Sequence, residues 1–116
     1  MSDADCIFCK IISGAFGTEF IAENDHAVAF RDIQPQAPVH VLLIPRAHFD
    51  DLPSVADADP ALAAEIVALA AEVARSEGVA ATGHRLVANT GVDGGQSVPH
   101  AHVHLLGGRS LAWPPG

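Results

Sequence analysis

The segment PHAHVHLL, residues 99–106, alternates histidine with apolar residues. His100, His102 and His104 occupy every second position, with Ala101 and Val103 between them. A period of two is the pattern of a β-strand, whose successive side chains point to opposite faces. The segment therefore predicts a strand over about 99–106 that carries three imidazoles on one face.

The rest of the chain predicts an α+β domain. Residues 6–13 fit a short helix closed by Gly14, and residues 60–77 fit a long helix. A short helix, three strands, a long helix and two strands favour helices packed on a mostly antiparallel sheet. Besides the histidine segment, the predicted strands are 19–23, 27–31, 39–44 and 84–89.

The long predicted helix carries its own boundary signals. Asp59 is a suitable N-cap, Pro60 suits the first turn, and Gly78 suits the stop. Apolar residues recur along it at steps of four, three and four, so they share one face. This face is predicted to be core and comprises Leu62, Ile66, Leu69 and Val73.

Composition narrows the classes of function. The chain has 116 residues, 49% hydrophobic, which suits one domain with its own core. A net charge of −8 argues against sequence-independent binding of nucleic acid, which requires basic residues for the phosphates. No apolar run approaches the roughly 18 residues of a membrane helix, and the acidic start MSDAD is unlike a signal peptide. We therefore expect a cytoplasmic protein without nucleic-acid or membrane partners.

Three histidines at this spacing admit several roles. A solvent-facing polar stripe would more often use Lys, Glu, Thr and Ser. One metal held by all three is excluded on a regular strand, because His100 and His104 would lie about 13 Å apart. A neighbouring pair can chelate an ion, so at least one histidine serves another purpose, as nucleophile or as general acid or base.

Two other segments contain candidate site residues. The turn Gly94–Ser97 offers backbone N–H groups and a hydroxyl that together suit an anion such as phosphate. Cys6 and Cys9 have the spacing of a zinc hook, although coincidence gives the same spacing. A thioredoxin-like redox pair would need a strand before it, and none is predicted there.

Several longer segments resemble one known family. HAHVHLL at 100–106 is similar to the motif that names the histidine triad (HIT) family. The Hint branch of this family, the nucleotide-binding histidine triad proteins, is resembled more broadly. The similar segments are residues 32–48, residues 89–109 and the final WPPG. The resemblance implies a single HIT domain over 1–116, with a five-stranded sheet that joins its partner's sheet in a homodimer.

The resemblance also implies a reaction. Members of the Hint branch hydrolyse the P–N bond of adenosine 5′-phosphoramidates, giving AMP and an amine through a nucleotidyl-histidine intermediate. His102 then corresponds to the nucleophile, His104 to a phosphate contact, and Ser97 to a donor to the phosphate or leaving group. Dinucleoside polyphosphates or acyl-adenylates are alternative substrates. A nucleotide-binding interaction module with incidental turnover is a further alternative.

The nucleotide contacts follow from the same resemblance. Asp32 corresponds to the residue that accepts hydrogen bonds from the ribose, and Ile33 to one that packs on the purine. The tail, residues 111–116, reaches the partner subunit in relatives, where Trp113 would shape the leaving-group pocket. Further residues implied to line the phosphate and ribose are Asn89, Gly95, Gln96 and Val98.

Bacterial relatives that begin with CIFC resemble zinc proteins. The implied ligands are Cys6, Cys9, His48 and His100, a closed set that would be structural, and no organic cofactor is expected. Relatives without the cysteines instead use the position of His48 in a hydrogen-bond network, so both roles remain open. Pro99 departs from the family pattern and removes one backbone donor at the predicted strand start.

Overall fold

Five strands form a single antiparallel sheet with helices on both faces. The structure is a computed structural model and describes residues 5–116. The strand order is β1-β2-β3-β5-β4, and every neighbouring pair is antiparallel. The elements are α1 (Ile7–Ile12), β1 (Ala22–Glu23), β2 (Ala27–Arg31), β3 (Val39–Pro45), α2 (Leu52–Ala58), α3 (Pro60–Ser76), β4 (His84–Val87) and β5 (Val103–Gly107).

The two faces of the sheet bury different sets of side chains. Val41, Leu43 and Leu105 belong to the core beneath α3. Leu42 and Ile44 alternate with them and pack with residues of α1. In the register of β3 and β5, Leu42 lies opposite His104, so the last histidine of the triad points to the α1 face.

The predicted long helix is confirmed as α3. The Asp59 side chain accepts a hydrogen bond from the Leu62 backbone N–H at 3.3 Å, as expected of an N-cap. The short helix α1 is also confirmed, and Gly14 follows it with a φ of 87°. All four predicted stripe residues of α3 are buried: Leu62, Ile66, Leu69 and Val73.

The prediction of one strand over 99–106 is wrong at its start. β5 begins only at Val103, so His100 and His102 precede it. The chain is diverted because the His100 N–H donates to the Val98 carbonyl and the Ala101 N–H donates to the Phe49 carbonyl. Pro99 has no N–H to offer a ladder. The three histidines therefore do not share the face of a regular strand.

Other boundaries also differ from the prediction. The segment 19–23 pairs only over Ala22–Glu23, and the segment 84–89 only over His84–Val87. Helix α2 is not predicted by the sequence patterns described above. The sequence does contain an N-cap residue for α2: Asp51, whose side chain accepts a hydrogen bond from the Ser54 backbone N–H at 2.9 Å. Within residues 5–116, no helix has the length and apolar character needed to cross a membrane.

Candidate active site

A cavity of about 310 Å³ lies on the α1 face of the sheet. Six residues that the sequence assigns to the nucleotide site line it: Asp32, Ile33, Ser97, Val98, His102 and His104. Three further lining residues are not identified by the sequence analysis: Phe8, Gln34 and Leu42. Leu42 lies directly opposite His104 in the register of β3 and β5, a relation that only the folded sheet shows.

His102 is held by a backbone carbonyl. Its Nδ1 lies 2.7 Å from the carbonyl oxygen of His100, and its side chain is 5% exposed. A carbonyl only accepts, so the Nδ1 of neutral His102 carries the proton and Nε2 carries the lone pair. The tautomer suits a nucleophile.

Phe8 links α1 to the histidines. Its ring lies edge-on to the ring of His102, with centroids 5.2 Å apart, and edge-on to His100 at 5.7 Å. Edge-to-face contacts of this kind restrict ring rotation. Phe8 therefore helps to hold His102 while it forms part of the cavity wall.

His104 lies half-buried beside two other histidines and a carboxylate. Burial lowers its pKa to about 4, and repulsion from His102 and His40 adds to the effect, while Asp32 opposes it. The Nδ1 of His104 lies 2.9 Å from the Nε2 of His40. His40 is not among the predicted site residues, although it lies two residues before Leu42 on the same face of β3.

The Asp32 carboxylate lies at the cavity rim. Its Oδ1 accepts a hydrogen bond from the Gln34 N–H at 2.8 Å, and its Oδ2 lies 3.5 Å from the Nε2 of His40. The Ile33 side chain is 95% exposed although it lines the cavity. An exposed isoleucine beside a carboxylate can pack on a flat apolar ring while the carboxylate accepts hydrogen bonds from hydroxyl groups.

The glycine-rich turn binds mainly to itself. The N–H groups of Gly95 and Gln96 donate to the carbonyls of Val92 and Gly91. A Cβ on Gly94 would lie 2.3 Å from the Thr90 carbonyl oxygen, so only glycine fits there. Gly95 and Gln96 therefore shape the turn, and Ser97 and Val98 reach the cavity.

Two amide side chains brace this turn. Asn89 Nδ2 donates to the Gly94 carbonyl at 2.7 Å. The Gln96 Oε1 accepts from the Gly91 N–H at 3.0 Å, while its Nε2 donates to the carbonyls of Asp50 and Val98. Asn89, Gly95 and Gln96 do not line the cavity and instead form hydrogen bonds within the turn.

The four predicted metal ligands converge. One ligand atom from each of Cys6, Cys9, His48 and His100 lies within 4.8 Å of all the others. The nearest approaches involve the Nδ1 atoms: Cys6 Sγ to His100 at 3.3 Å, Cys9 Sγ to His48 at 3.4 Å, and His48 to His100 at 3.2 Å.

His100 has the tautomer that a metal ligand requires. Its Nε2 lies 3.0 Å from the carbonyl oxygen of Pro45, which can only accept. The proton of neutral His100 is therefore on Nε2, and Nδ1 presents its lone pair to the two sulfurs. A backbone carbonyl behind a metal-binding histidine is a common supporting contact.

The C-terminal tail, residues 111–116, lies away from the cavity of its own chain. Arg85 on the edge strand β4 donates to the carbonyls of Ala112, at 2.8 Å, and Leu111, at 3.4 Å. Trp113 is 83% exposed and does not line the cavity. Arg85 thus fixes the start of the tail beside the sheet edge.

Known proteins are similar to this chain in sequence. The sequence model described as the HIT domain matches residues 15–111. An uncharacterized HIT-like protein of Synechococcus elongatus is 46% identical over 112 residues, which is 97% of this chain and 97% of the relative. A protein of Arabidopsis thaliana named adenylylsulfatase HINT1 is 46% identical over 118 residues, which is 99% of this chain and 79% of the relative.

Solved structures share the fold. The crystal structure of a HIT family hydrolase from Legionella pneumophila has a TM-score of 0.91 at 46% identity, and the match covers 97% of this chain and 100% of that one. A histidine triad protein from Clostridium difficile has a TM-score of 0.90 at 38% identity, with 97% of both chains covered. The predicted α+β fold with a five-stranded antiparallel sheet is thus confirmed.

Proposed function

The chain belongs to the HIT domain family, and from this premise we propose that it is a Hint-type hydrolase of adenosine 5′-phosphoramidates. The proposed products are AMP and an amine. The observation that carries the proposal is the contact between His102 Nδ1 and the His100 carbonyl, which leaves Nε2 of His102 as a nucleophile at the cavity.

The chemistry divides into two displacements at phosphorus. In the first, Nε2 of His102 forms a bond to the α-phosphorus as the P–N bond breaks, and the leaving nitrogen takes up a proton and departs as the amine; the water of the second step returns one proton when it attacks. In the second, water attacks the nucleotidyl-histidine and releases AMP. Covalent catalysis replaces one difficult step with two easier ones. The Ser97 hydroxyl and His104 line the same cavity, where they would donate hydrogen bonds to phosphoryl or leaving-group atoms.

The leaving group is the least constrained part of the proposal. The Arabidopsis relative is named an adenylylsulfatase, which favours adenylyl sulfate as a second substrate for the same nucleophile. Acyl-adenylates and dinucleoside polyphosphates share the adenylyl half with both. A nucleotide-binding interaction module remains the alternative from a different class, and it would bind AMP without appreciable turnover.

A substrate panel with intermediate trapping tests the proposal. AMP-amides, adenylyl sulfate, acyl-AMPs and diadenosine polyphosphates would be compared by kcat/KM, and quenched reactions would be examined by mass spectrometry for an adenylyl group on His102. His26→Ala is a matched control, because His26 is an exposed histidine outside the cavity. Slow turnover of the whole panel with tight AMP binding would favour the interaction module.

We also propose that the cysteine–histidine cluster holds a structural zinc ion. Zinc bonds of about 2.3 Å to sulfur and about 2.0 Å to nitrogen place tetrahedral S and N ligands about 3.5 Å apart. Cys6 Sγ and His100 Nδ1 are 3.3 Å apart, and Cys9 Sγ and His48 Nδ1 are 3.4 Å apart. Four protein ligands leave no position for substrate, so the ion would tie α1 to the loops that carry the two histidines.

A zinc-bound His48 does not take part in an active-site hydrogen-bond network. The proposal therefore assigns His48 to the metal, with Asp50 Oδ1 at 3.5 Å from its Nε2 as a supporting carboxylate. We also propose that the protein resides in the cytoplasm, where the thiols of Cys6 and Cys9 would be kept reduced.

We further propose a homodimer in which two sheets join. β4 is an edge strand, and an edge strand offers unpaired backbone groups to a second chain. Leu86 on β4 is 40% exposed, and Arg85 fixes the tail next to it. Two-fold symmetry would carry each tail toward the other subunit, where Trp113 would meet the leaving group.

A further inference from the structure

We propose that His40 is a positioning residue that fixes the tautomer of His104, so that His104 presents an N–H donor to the cavity from Nε2. The inference rests on the proposed function, because it concerns how His104 would act on the substrate. It is carried by two consecutive hydrogen bonds that run from a backbone amide through His40 to His104.

The first bond determines the proton position on His40. The Gln36 backbone N–H donates to the Nδ1 of His40 at 3.1 Å. An amide N–H can only donate, so Nδ1 is the acceptor and the proton of neutral His40 is on Nε2. The His40 side chain is 4% exposed, which leaves little room for water to replace this contact.

The second bond passes this direction to His104. The Nε2 of His40 lies 2.9 Å from the Nδ1 of His104. Since His40 must donate, the Nδ1 of His104 must accept, and the proton of neutral His104 is on Nε2. Asp32 Oδ2 lies 3.5 Å from the same His40 nitrogen. A carboxylate also accepts, so it favours the same tautomer of His40.

The two cavity histidines therefore have opposite tautomers. His102 carries its proton on Nδ1 because it faces the His100 carbonyl, whereas His104 carries its proton on Nε2 because it faces His40. One imidazole presents a lone pair and its neighbour presents a donor. Burial lowers the pKa of His104 to about 4, so the ring is neutral near pH 7 and its tautomer decides what it offers.

Nitrogen NMR of the resting protein tests the assignment without substrate. In protein labelled with ¹⁵N-histidine, the ring signals of His104 are identified by their loss in His104→Asn. The expected result is protonated Nε2 and unprotonated Nδ1 for His104. A ring with its proton on Nδ1 would overturn the inference.

Two His40 variants separate the two hydrogen bonds. In His40→Gln, the side-chain amide can still donate to His104 but no longer accepts from Gln36. In His40→Asn, the side-chain oxygen can still accept from Gln36 but the donor to His104 is lost. A purely structural role would make the two variants similar, whereas the inference makes them differ. Thermal unfolding shows whether each variant is folded.

The kinetic expectation is a change in kcat rather than in KM. His40→Asn is expected to populate both tautomers of His104 and to lower kcat about tenfold, the effect of about one hydrogen bond, with KM nearly unchanged. His40→Gln is expected to stay within about threefold of the wild-type kcat. An unchanged tautomer and kcat in His40→Asn would refute the positioning role. If the wild-type protein turned over no AMP derivative, the proposed function would fail, and the NMR result would still decide the tautomer.

Discussion

The Nδ1 atom of His102 lies 2.7 Å from the backbone carbonyl oxygen of His100. His100 is also one of the four residues of the cysteine–histidine cluster. The residue proposed to bind zinc therefore orients the residue proposed to attack phosphorus. With His104 proposed as a hydrogen-bond donor to the same cavity, the three histidines of the segment would have three different tasks, which would explain why an otherwise apolar run contains them all.

Replacement of the proposed nucleophile should abolish turnover. We expect His102→Ala to lower kcat by about a thousandfold or more, because no other side chain of the cavity offers an equivalent lone pair. The affinity for AMP should change little, since Asp32, Ile33 and Ser97 remain in the cavity. Single-turnover kinetics and AMP titration measure the two effects.

His104→Ala provides a graded comparison. Loss of a hydrogen-bond donor to developing charge typically costs about a hundredfold in kcat, less than loss of the nucleophile. The exposed His26→Ala serves as the control and should be unaffected. Near-normal single-turnover rates in His102→Ala would mean that the assigned mechanism is wrong.

The sequence predicts the regular parts of the fold because their signals are local. The N-cap at Asp59 and the apolar stripe of α3 depend on neighbouring residues, and both are confirmed. The start of β5 depends instead on a distant partner, because the Ala101 N–H donates to the Phe49 carbonyl rather than to a neighbouring strand. Sequence periodicity cannot show that contact, so the strand prediction began too early.

The same distinction holds for the site. The family motif leads to His102 and His104, which the structure places in one cavity. It does not lead to His40, whose relation to His104 depends on the diagonal register of β3 and β5. It also implies that Gln96 is one of the residues that line the phosphate and ribose, whereas in this structure the amide of Gln96 binds three backbone groups.

The zinc content of the protein should depend on its two cysteines. We expect about one zinc ion per chain in protein purified without chelators, by the four-ligand count. Cys6→Ser should lose the metal and lower the thermal unfolding temperature, because metal binding stabilises the folded chain. Elemental analysis and calorimetry provide the measurements.

The order of losses distinguishes a structural from a catalytic ion. At a temperature where Cys6→Ser is still folded, a substantial part of kcat should remain, since no substrate atom would contact the ion. The Lys10→Ala variant controls for disturbance of α1, because Lys10 is exposed and is no ligand. Absence of zinc in the wild-type protein would refute the site and would assign both cysteines to packing.

The ring of His104 should resist protonation. Burial lowers its pKa from 6.5 to about 4. We therefore expect more than about nine-tenths of the ring to be neutral throughout the range from about pH 5.5 to 7. A titration followed by ¹⁵N ring shifts measures this directly. A midpoint near 6.5 would show that the ring is more hydrated than the structure indicates.

The same shift predicts how stability depends on pH. Between pH 6.5 and about 4, the unfolded chain binds a proton at His104 that the folded chain does not bind. The contribution of His104 to the free energy of unfolding therefore falls as pH falls through this window and levels off below about 4. Urea unfolding should show the stability of wild type relative to His104→Asn decreasing with acidification, whereas His26→Asn should leave the wild-type slope nearly unchanged.

The C-terminal tail should affect the choice of leaving group more than nucleotide binding. Removal of residues 112–116 takes away Trp113, which is 83% exposed, and the Ala112 carbonyl that Arg85 binds at 2.8 Å. A large ring that its own chain does not bury is costly to leave in water, which favours a role against the partner subunit. We expect the truncated protein to remain a folded dimer. The ratio of its kcat/KM values for bulky and small AMP-amides should lie several-fold closer to one than in the full chain, a change well within the energy of one pocket contact.

Two point variants should reproduce this loss of discrimination in part. Trp113→Ala should reproduce most of it, and Arg85→Gln should reproduce some of it by freeing the start of the tail. Size-exclusion chromatography verifies the dimer in each variant. An unchanged ratio of kcat/KM values in the truncated protein would show that the tail serves packing rather than specificity.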